Sequence, residues 1–346
     1  MNLRVQGFAD RIGMQWMPAA QWEASALLGD PRVLGVVTFG ESSPLTASVQ
    51  LPQAHLRTPV LDGTGRTVEV WLGRSDAHSE TLGSVQCRHN GEVMFAAVSV
   101  PVSDEGDDAF GEATFAAYCA LFDALKQSGY PHLLRVWNSI PSINGDDAGL
   151  ERYRRFNLQR YRAYQDSSTP TPASAPAACA LGSLGGPFVL HCLASRTPAE
   201  AIENPRQVSA YRYPQQYGPR APYFSRAALW RGAESDVLFV SGTASIVGHE
   251  TMHRGDVVAQ ARETLANLSA VLAEAVRHGA RGVTTLSDLM LKVYVRDAQN
   301  AELIRGVLIE HGLDADAALF LHADICRAEL LMEIEAIGGA GVVNRP

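Results

Sequence analysis

A thiol and a carboxyl near the end of the chain are of types that could do chemistry together: Cys326 and Glu333 both lie in LHADICRAELLMEIEAI. A compact fold brings the two near one another, and such a pair on a closing strand is equipment for a small-molecule active site, which points to an enzyme. Alternation along LLMEIEAI puts Glu333 and Glu335 on one face, opposite Met332 and Ile334, so one carboxyl sits nearer any cleft than the other. On residue type alone, both glutamates are equally served by solvent or by arginine partners. Cys326, with no histidine at catalytic spacing, equally reads as a small buried hydrophobe.

His249 to His253 spell HETMH, the H-E-x-x-H pattern in which two histidines one helical turn apart bind zinc. Here the run follows Gly248 and precedes Arg254, Gly255 and Asp256, which sets it in a loop where that one-face geometry is not assured. No clear third ligand follows, so no metal is expected. A Gly-rich phosphate loop and a GxSxG elbow are both missing from the sequence.

The elements that must position Glu333 read from periodicity. LWRGAESDVLFVSGTASIVG is expected as a hairpin, with a strand from 237. Asp256 precedes a helix whose Val257, Ala261, Leu265, Leu268 and Leu272 fall on one face. MLKVYVRD is a strand, AQNAELIRGVLIEHG a helix ended by Gly312, and LLMEIEAI the closing strand. The first half repeats this order with FAAYCALFDALKQSGY, LLRVWNSIP, GLERYRRFNLQRYRAY and PFVLHCLA. Extra strands precede it: VLGVVTFG, TVEVWLG, GSVQCRH and GEVMFAAVSVPV. Between the halves, residues 166–187 are rich in Pro, Ala, Ser and Gly and lack apolar periodicity, so they are expected as a loop or linker. The expected units are therefore 1–195, with the additional strands and the linker, and 196–346.

Composition limits the function classes. The chain has 346 residues, 46% of them hydrophobic and 19% charged, with a net charge of −8. That is a folded chain of about two ordinary domains, with no general attraction for phosphate backbones or anionic membranes. Nucleic acid is not an expected partner. Five cysteines without CxxC spacing suggest free thiols in a reducing compartment. With no signal-like start and no apolar run long enough to span a bilayer, a cytoplasmic location is expected.

The run VLFVSGTASIVGHE, GDVVAQARETLANLSAVLAEA, LKVYVRD and MEIEAI resembles the YjgF-like or RidA-like imine deaminases. Those proteins carry an arginine upstream of the EIEAI segment; here Ala318 takes the ungapped position, beside Leu319 and Phe320. Imine hydrolysis is therefore the weaker expectation. RVWNSIPSIN, ERYRRFN, SAYRYPQQYGPRAPYFSRA, SGTASIVGHE and LHADICRAELLMEIEA together resemble the chorismatases more closely. That resemblance implies an α+β fold of two YjgF/RidA-like (chorismate mutase-like) modules, each a mixed sheet with helices on one face, plus extra N-terminal β structure. It also implies removal of pyruvate from chorismate without metal or organic cofactor.

The cysteine seven residues before the glutamate is the mark of the branch that forms 3-hydroxybenzoate, sometimes with 4-hydroxybenzoate; a diol-forming hydrolase is the nearest alternative. The resemblance makes Glu333 the general acid that protonates the enol-ether methylene, which requires desolvation to keep its proton at neutral pH. It makes Cys326 a wall of the ring pocket. The neighbouring ring hydroxyl would displace pyruvate, giving an arene-oxide-like species that aromatises with loss of water. Gly242, Ala244 and Ser245 are small residues at a strand end that allow a ring to approach the backbone. Chorismate has two carboxylates, for which arginine forks are suited. Arg220 and Tyr213 are the first candidates, in a Pro- and aromatic-rich covering segment; Tyr217 is a third, and Arg296, at a strand end, a second clamp. A tandem chain of such modules is expected as a monomer or a homotrimer.

Overall fold

Three β-sheets organise the chain, and the closing strand that carries Glu333 lies in the third. The computed structural model describes residues 11–41, 51–63, 65–102, 108–147, 149–167, 175–339 and 341–342. The first sheet is five-stranded, in the order Gly341–Val342, Ile12–Pro18, Thr67–Gly73, Val33–Phe39, Gln53–Leu56. The second is six-stranded: Ala177–Ser183, His132–Pro141, Phe188–Ser195, Val93–Val100, Val85–His89, His78–Leu82. The third is also six-stranded: Glu200–Ile202, Ala227–Trp230, Val237–Thr243, Met332–Gly338, Leu289–Val295, Leu319–His322.

Helices Ala109–Ser128 and Arg152–Asp166 cover one face of the second sheet, their apolar stripes meeting Val98, Val136 and Leu190. Helix Val257–Arg277 starts at Asp256, whose side chain accepts a hydrogen bond from the Ala259 N–H at 3.0 Å, as an N-cap should. With Ala301–Glu310 it covers one face of the third sheet. The α+β class, with mixed sheets carrying helices on one face, is what the resemblance implied. None of the helices among the described residues is long and apolar enough to cross a membrane.

The stretch expected as a linker needs correction. Its residues 168–174 lie outside the described residues, but Ala177–Ser183 is a strand, parallel to His132–Pro141. Small residues hid the alternation, and they are there for a reason. The strand Val237–Thr243 of the third sheet approaches closely at this edge, where the Ala178 N–H donates to Ser241 Oγ at 2.9 Å.

The faces of the three sheets that carry no helix meet in one core containing Trp16, Trp71, Phe95, Trp137, Phe239, Tyr294 and Leu321. A charge cluster is buried at its centre. Lys292 Nζ lies 2.7 Å from Glu69 Oε2 and 2.6 Å from Glu335 Oε1. Arg135 Nη2 donates to Glu335 Oε2 at 2.5 Å, Trp137 Nε1 to Glu335 at 3.0 Å, and Trp71 Nε1 to Glu69 at 2.8 Å. Glu69 comes from the first sheet, Arg135 and Trp137 from the second, and Lys292 and Glu335 from the third.

Beside this cluster, His191 stacks on Trp137 with ring centroids 4.9 Å apart and planes 6° from parallel. Neither ring nitrogen has a hydrogen-bond partner among the described residues. Burial, and then the nearby Lys292 charge, push the imidazole down to about 3. A base whose folded pKa is depressed contributes no penalty above its unfolded value near ~6.5 and destabilises increasingly as pH falls below it. Glu335, held down at about 2, loses stability only as pH falls below about 4.5, whereas Glu333, raised to about 8, gains stability through the same range, so the difference between wild type and a His191 variant, rather than the pH window, isolates His191. His191→Phe, which preserves the stack, is expected to remove about 2 kcal/mol of acid destabilisation at pH 5. Urea unfolding of both proteins at pH 7.5 and 5 reads this as a difference of differences; the same change between the two pH values in both proteins would contradict it.

Candidate active site

A cavity of about 450 Å³ opens between the second and third sheets. The hairpin Asp146–Asp147/Leu150–Glu151 and the start of helix Arg152–Asp166 supply Asn144, Glu151, Tyr153 and Arg154 on one side. The Pro- and aromatic-rich segment before Ala227–Trp230 supplies Tyr213, Tyr217, Phe224 and Arg226 as a cover. Gly242 and Ala244, at the end of Val237–Thr243, form the floor with Cys326, Arg327 and Glu333. Cys326, Gly242, Tyr153 and Glu333 also line a smaller recess of about 30 Å³, which Arg160 and Cys179 complete.

Glu333 is 4% exposed. Burial is the largest cause that pushes its carboxyl up to about 8; the Glu335 charge adds to the rise, and Arg135 and Arg226 oppose it. Glu335, two residues on and on the same face, goes the other way. Burial pushes it up, but Lys292 and Arg135, with the hydrogen bonds from Lys292 and Trp137, outweigh burial and hold it at about 2. Two neighbouring carboxyls are thereby divided into a proton holder and a permanent anion, which is the arrangement acid catalysis at neutral pH requires. The Cys326 thiol is pushed up to about 12, by burial first and the Glu333 charge second. It is a neutral wall at physiological pH and a poor nucleophile.

The close approach at Gly242 has a specific purpose. A Cβ at this position would come within 1.9 Å of Glu333 Oε1, so the carboxyl occupies space that only glycine leaves open.

Of the residues singled out from sequence, Glu333, Cys326, Tyr213, Tyr217, Gly242 and Ala244 come together around this cavity. Ser245 does not face it: its Oγ donates to the Met252 carbonyl at 3.2 Å, behind the floor. Arg220 is exposed and lies 4.3 Å over the Tyr161 ring, outside the cavity wall. Arg296 pairs with Asp324 at 2.5 Å and donates to the carbonyls of Leu330, Ile325 and Arg327. It fastens the loop that carries Cys326 and is not among the residues that line the cavity, so the expected second clamp is not found there.

The guanidinium groups at the cavity are others. Arg226 donates from Nη2 to Val208 O and Tyr213 Oη, both at 2.8 Å, and its buried Nε has no partner among the described residues. Arg327 donates from Nη1 to His249 O at 2.9 Å and Thr251 Oγ1 at 3.1 Å, while its buried Nη2 has no such partner. Its guanidinium lies 4.0 Å over the Tyr217 ring. In the recess, Arg160 Nε is likewise buried and unpartnered among the described residues. Buried N–H donors left open beside a cavity can receive a carboxylate. A signal existed for Arg327, which adjoins Cys326, and for Arg226, which ends the same aromatic segment as Arg220.

HETMH falls on the turn, second strand and exit of the hairpin Ile246–Val247/Glu250–Thr251, ahead of the helix. His249 Nδ1 meets Tyr217 Oη at 3.2 Å and His253 Nε2 meets Glu263 at 3.2 Å, so the two rings turn to different partners.

The chain is similar to known proteins along most of its length. Residues 69–194 match the family model described as "Chorismatase FkbO/Hyg5-like, N-terminal". The 3-hydroxybenzoate synthase of Streptomyces hygroscopicus is 39% identical over 281 residues, covering 78% of this chain and 80% of that protein. A chorismatase of Streptomyces rapamycinicus is 38% identical over 324 residues, covering 91% and 95%. A crystal structure of a chorismatase superposes with a TM-score of 0.85 at 32% identity, over 94% of this chain and 98% of that one. Likeness of sequence and of backbone, each over about nine tenths of the chain, makes this protein a member of the chorismatase family.

Proposed function

We propose that this enzyme acts on chorismate and converts it to 3-hydroxybenzoate and pyruvate, and that 4-hydroxybenzoate can form beside it. The observation that carries the reading is a buried carboxyl, Glu333, with its proton held up to about 8, at the floor of a cavity that carries a neutral thiol and the guanidinium groups of Arg226 and Arg327, with Arg160 in the adjoining recess. The relatives named chorismatase and 3-hydroxybenzoate synthase support the substrate and the product.

Glu333 donates its proton to the methylene carbon of the enolpyruvyl group, making a methyl group and an oxocarbenium ion. The ring hydroxyl next to the ether then attacks the carbon that bears it. The ether bond breaks, its electron pair completes the ketone of pyruvate, and the hydroxyl proton returns to the Glu333 carboxylate. The resulting epoxide opens, a ring hydrogen leaves as a proton, and the oxygen takes one up. The atoms of chorismate divide completely between hydroxybenzoate and pyruvate. This corrects the expectation of water loss: no water enters or leaves.

Two of the three open guanidinium groups, Arg226 and Arg327 beside Tyr213 and Tyr217, suit one carboxylate, and Arg160 in the recess suits the other. Cys326 and Gly242 keep the ring close to Glu333 and exclude the water that would otherwise open it to a diol. The three-sheet core closes within one chain, which supports a monomer as the working unit.

Incubation with chorismate and chromatography of the products tests the reading; a non-aromatic diol, or unconsumed chorismate, would overturn it. Glu333→Gln is expected to lower pyruvate release by roughly 10²–10⁴-fold with the melting temperature retained. Gly242→Ala, which displaces the same carboxyl, is expected to lose about 10²-fold. Because the acid form is required, kcat/KM should be level below about pH 8 and fall as pH rises through it. Cys326→Ala should change the ratio of products more than the rate of pyruvate release; unchanged products would leave Cys326 as packing alone.

A further inference from the structure

The central charge cluster lies behind the cavity, and the reaction as derived does not use it. Glu335 shares a strand face with Glu333, their Cα atoms roughly 7 Å apart by strand geometry. Its own oxygens are turned to Lys292, Arg135 and Trp137. Glu69, across Lys292 at 2.7 Å, belongs to a sheet none of whose residues lines the cavity.

We propose that Glu335 is a positioning residue for proton transfer: fixed as an anion by Lys292, Arg135 and Trp137, it keeps the proton on Glu333, and Glu69 acts through the same chain of contacts. This rests on Glu333 being the proton donor.

The other groups around Glu333 do not supply that field. Tyr153 and Arg160 face it from helix Arg152–Asp166, Cys179 from strand Ala177–Ser183, Cys326 and Arg327 from the loop before its own strand, and Arg226 from the cover. Burial pushes both thiols and the Tyr153 phenol upward, so all three are neutral. Arg135 opposes the effect but is itself paired with Glu335. Arg226 also opposes it. Across the cavity, Glu151 is matched by Arg154 and Glu329 by Arg254, and Asp146 stands exposed at the rim, where water screens its charge. Glu335 is paired too, but it is the buried anion on the strand face of Glu333, two residues away, in a medium where charges are weakly screened.

The test is an infrared difference titration of the Glu333 carboxyl without substrate, with Glu333→Gln as the blank, in wild type, Glu335→Gln, Glu335→Asp and Glu69→Gln. Removing a negative charge lowers the proton affinity of a nearby carboxyl. Glu335→Gln is therefore expected to move the midpoint to lower pH by about 1 unit or more, with a ~10-fold loss of protonated enzyme at alkaline pH. Glu335→Asp should restore most of the shift, and Glu69→Gln should move the midpoint the same way by less. The alkaline limb of kcat/KM should follow. A folded Glu335→Gln whose midpoint is unmoved overturns the proposal; should that variant not fold, Glu69→Gln decides in the same way. The titration needs no turnover, so a protein that leaves chorismate untouched defeats the functional reading while the midpoint still decides the role of Glu335.

Discussion

The buried contacts among Glu69, Lys292, Glu335 and Arg135 are the constraint on which the rest of the structure depends. Two anions and two cations inside an apolar core are tolerable only because each has a partner within hydrogen-bond distance and the sum of their charges is nil. The partners come from three different sheets. A slip of one residue in any of these strands would turn the charged side chain out of the core and leave its partners unmatched. Breaking such a buried pair costs about 3–5 kcal/mol, whereas apolar residues alone would tolerate several packings. The cluster therefore fixes how the three sheets meet, and with that the seam in which the cavity opens.

Period-two geometry then carries this constraint to the chemistry. Because Glu335 must face the cluster, Glu333 must face the same way, toward the second sheet. One carboxyl reaches cations and ionises; the other meets Gly242, Cys326 and Ala244 and keeps its proton. The hydrophobic core that buries both is the same, so their difference arises from partners alone. This also accounts for the small residues on the facing edges. Gly242 leaves space for the Glu333 carboxyl, and Cys179, against which a Gly242 side chain would also press at 3.1 Å, marks where the edge strand of the second sheet comes close.

Much of this was legible in the sequence because it follows from local periodicity. The alternation of LLMEIEAI, the Asp256 cap and the helical spacing of Val257 to Leu272 each have a local cause, and the elements stand where that cause puts them. Cys326 and Glu333 were legible as a pair through the resemblance to the chorismatases, since residue type alone left both with ordinary structural readings. The strand Ala177–Ser183 was not, since its alanines and glycine carry no alternation that could be read; its identity comes from what packs on it. The arginines failed for a different reason. Arg220, Arg226, Arg296 and Arg327 are chemically the same residue, and which one reaches a cavity depends on the direction of a long side chain set by tertiary partners. Arg296 is occupied by four backbone and side-chain acceptors of one loop, and Arg220 by an aromatic ring on the surface.

Substrate binding should strengthen what the fold prepares. In the free enzyme the Arg226 charge lowers the proton affinity of Glu333, which works against an acid catalyst. A carboxylate seated on Arg226 neutralises that charge at the moment the proton is needed, and Glu335, already bound to its own cations, is unaffected. A ligand that fills the cavity also displaces water from beside Glu333 and desolvates it further, and both changes favour the neutral acid. A ligand with a carboxylate therefore raises the fraction of enzyme able to donate a proton, whereas a neutral ether in the same cavity leaves the guanidinium charge in place. Recognition and protonation are in this way linked through electrostatics.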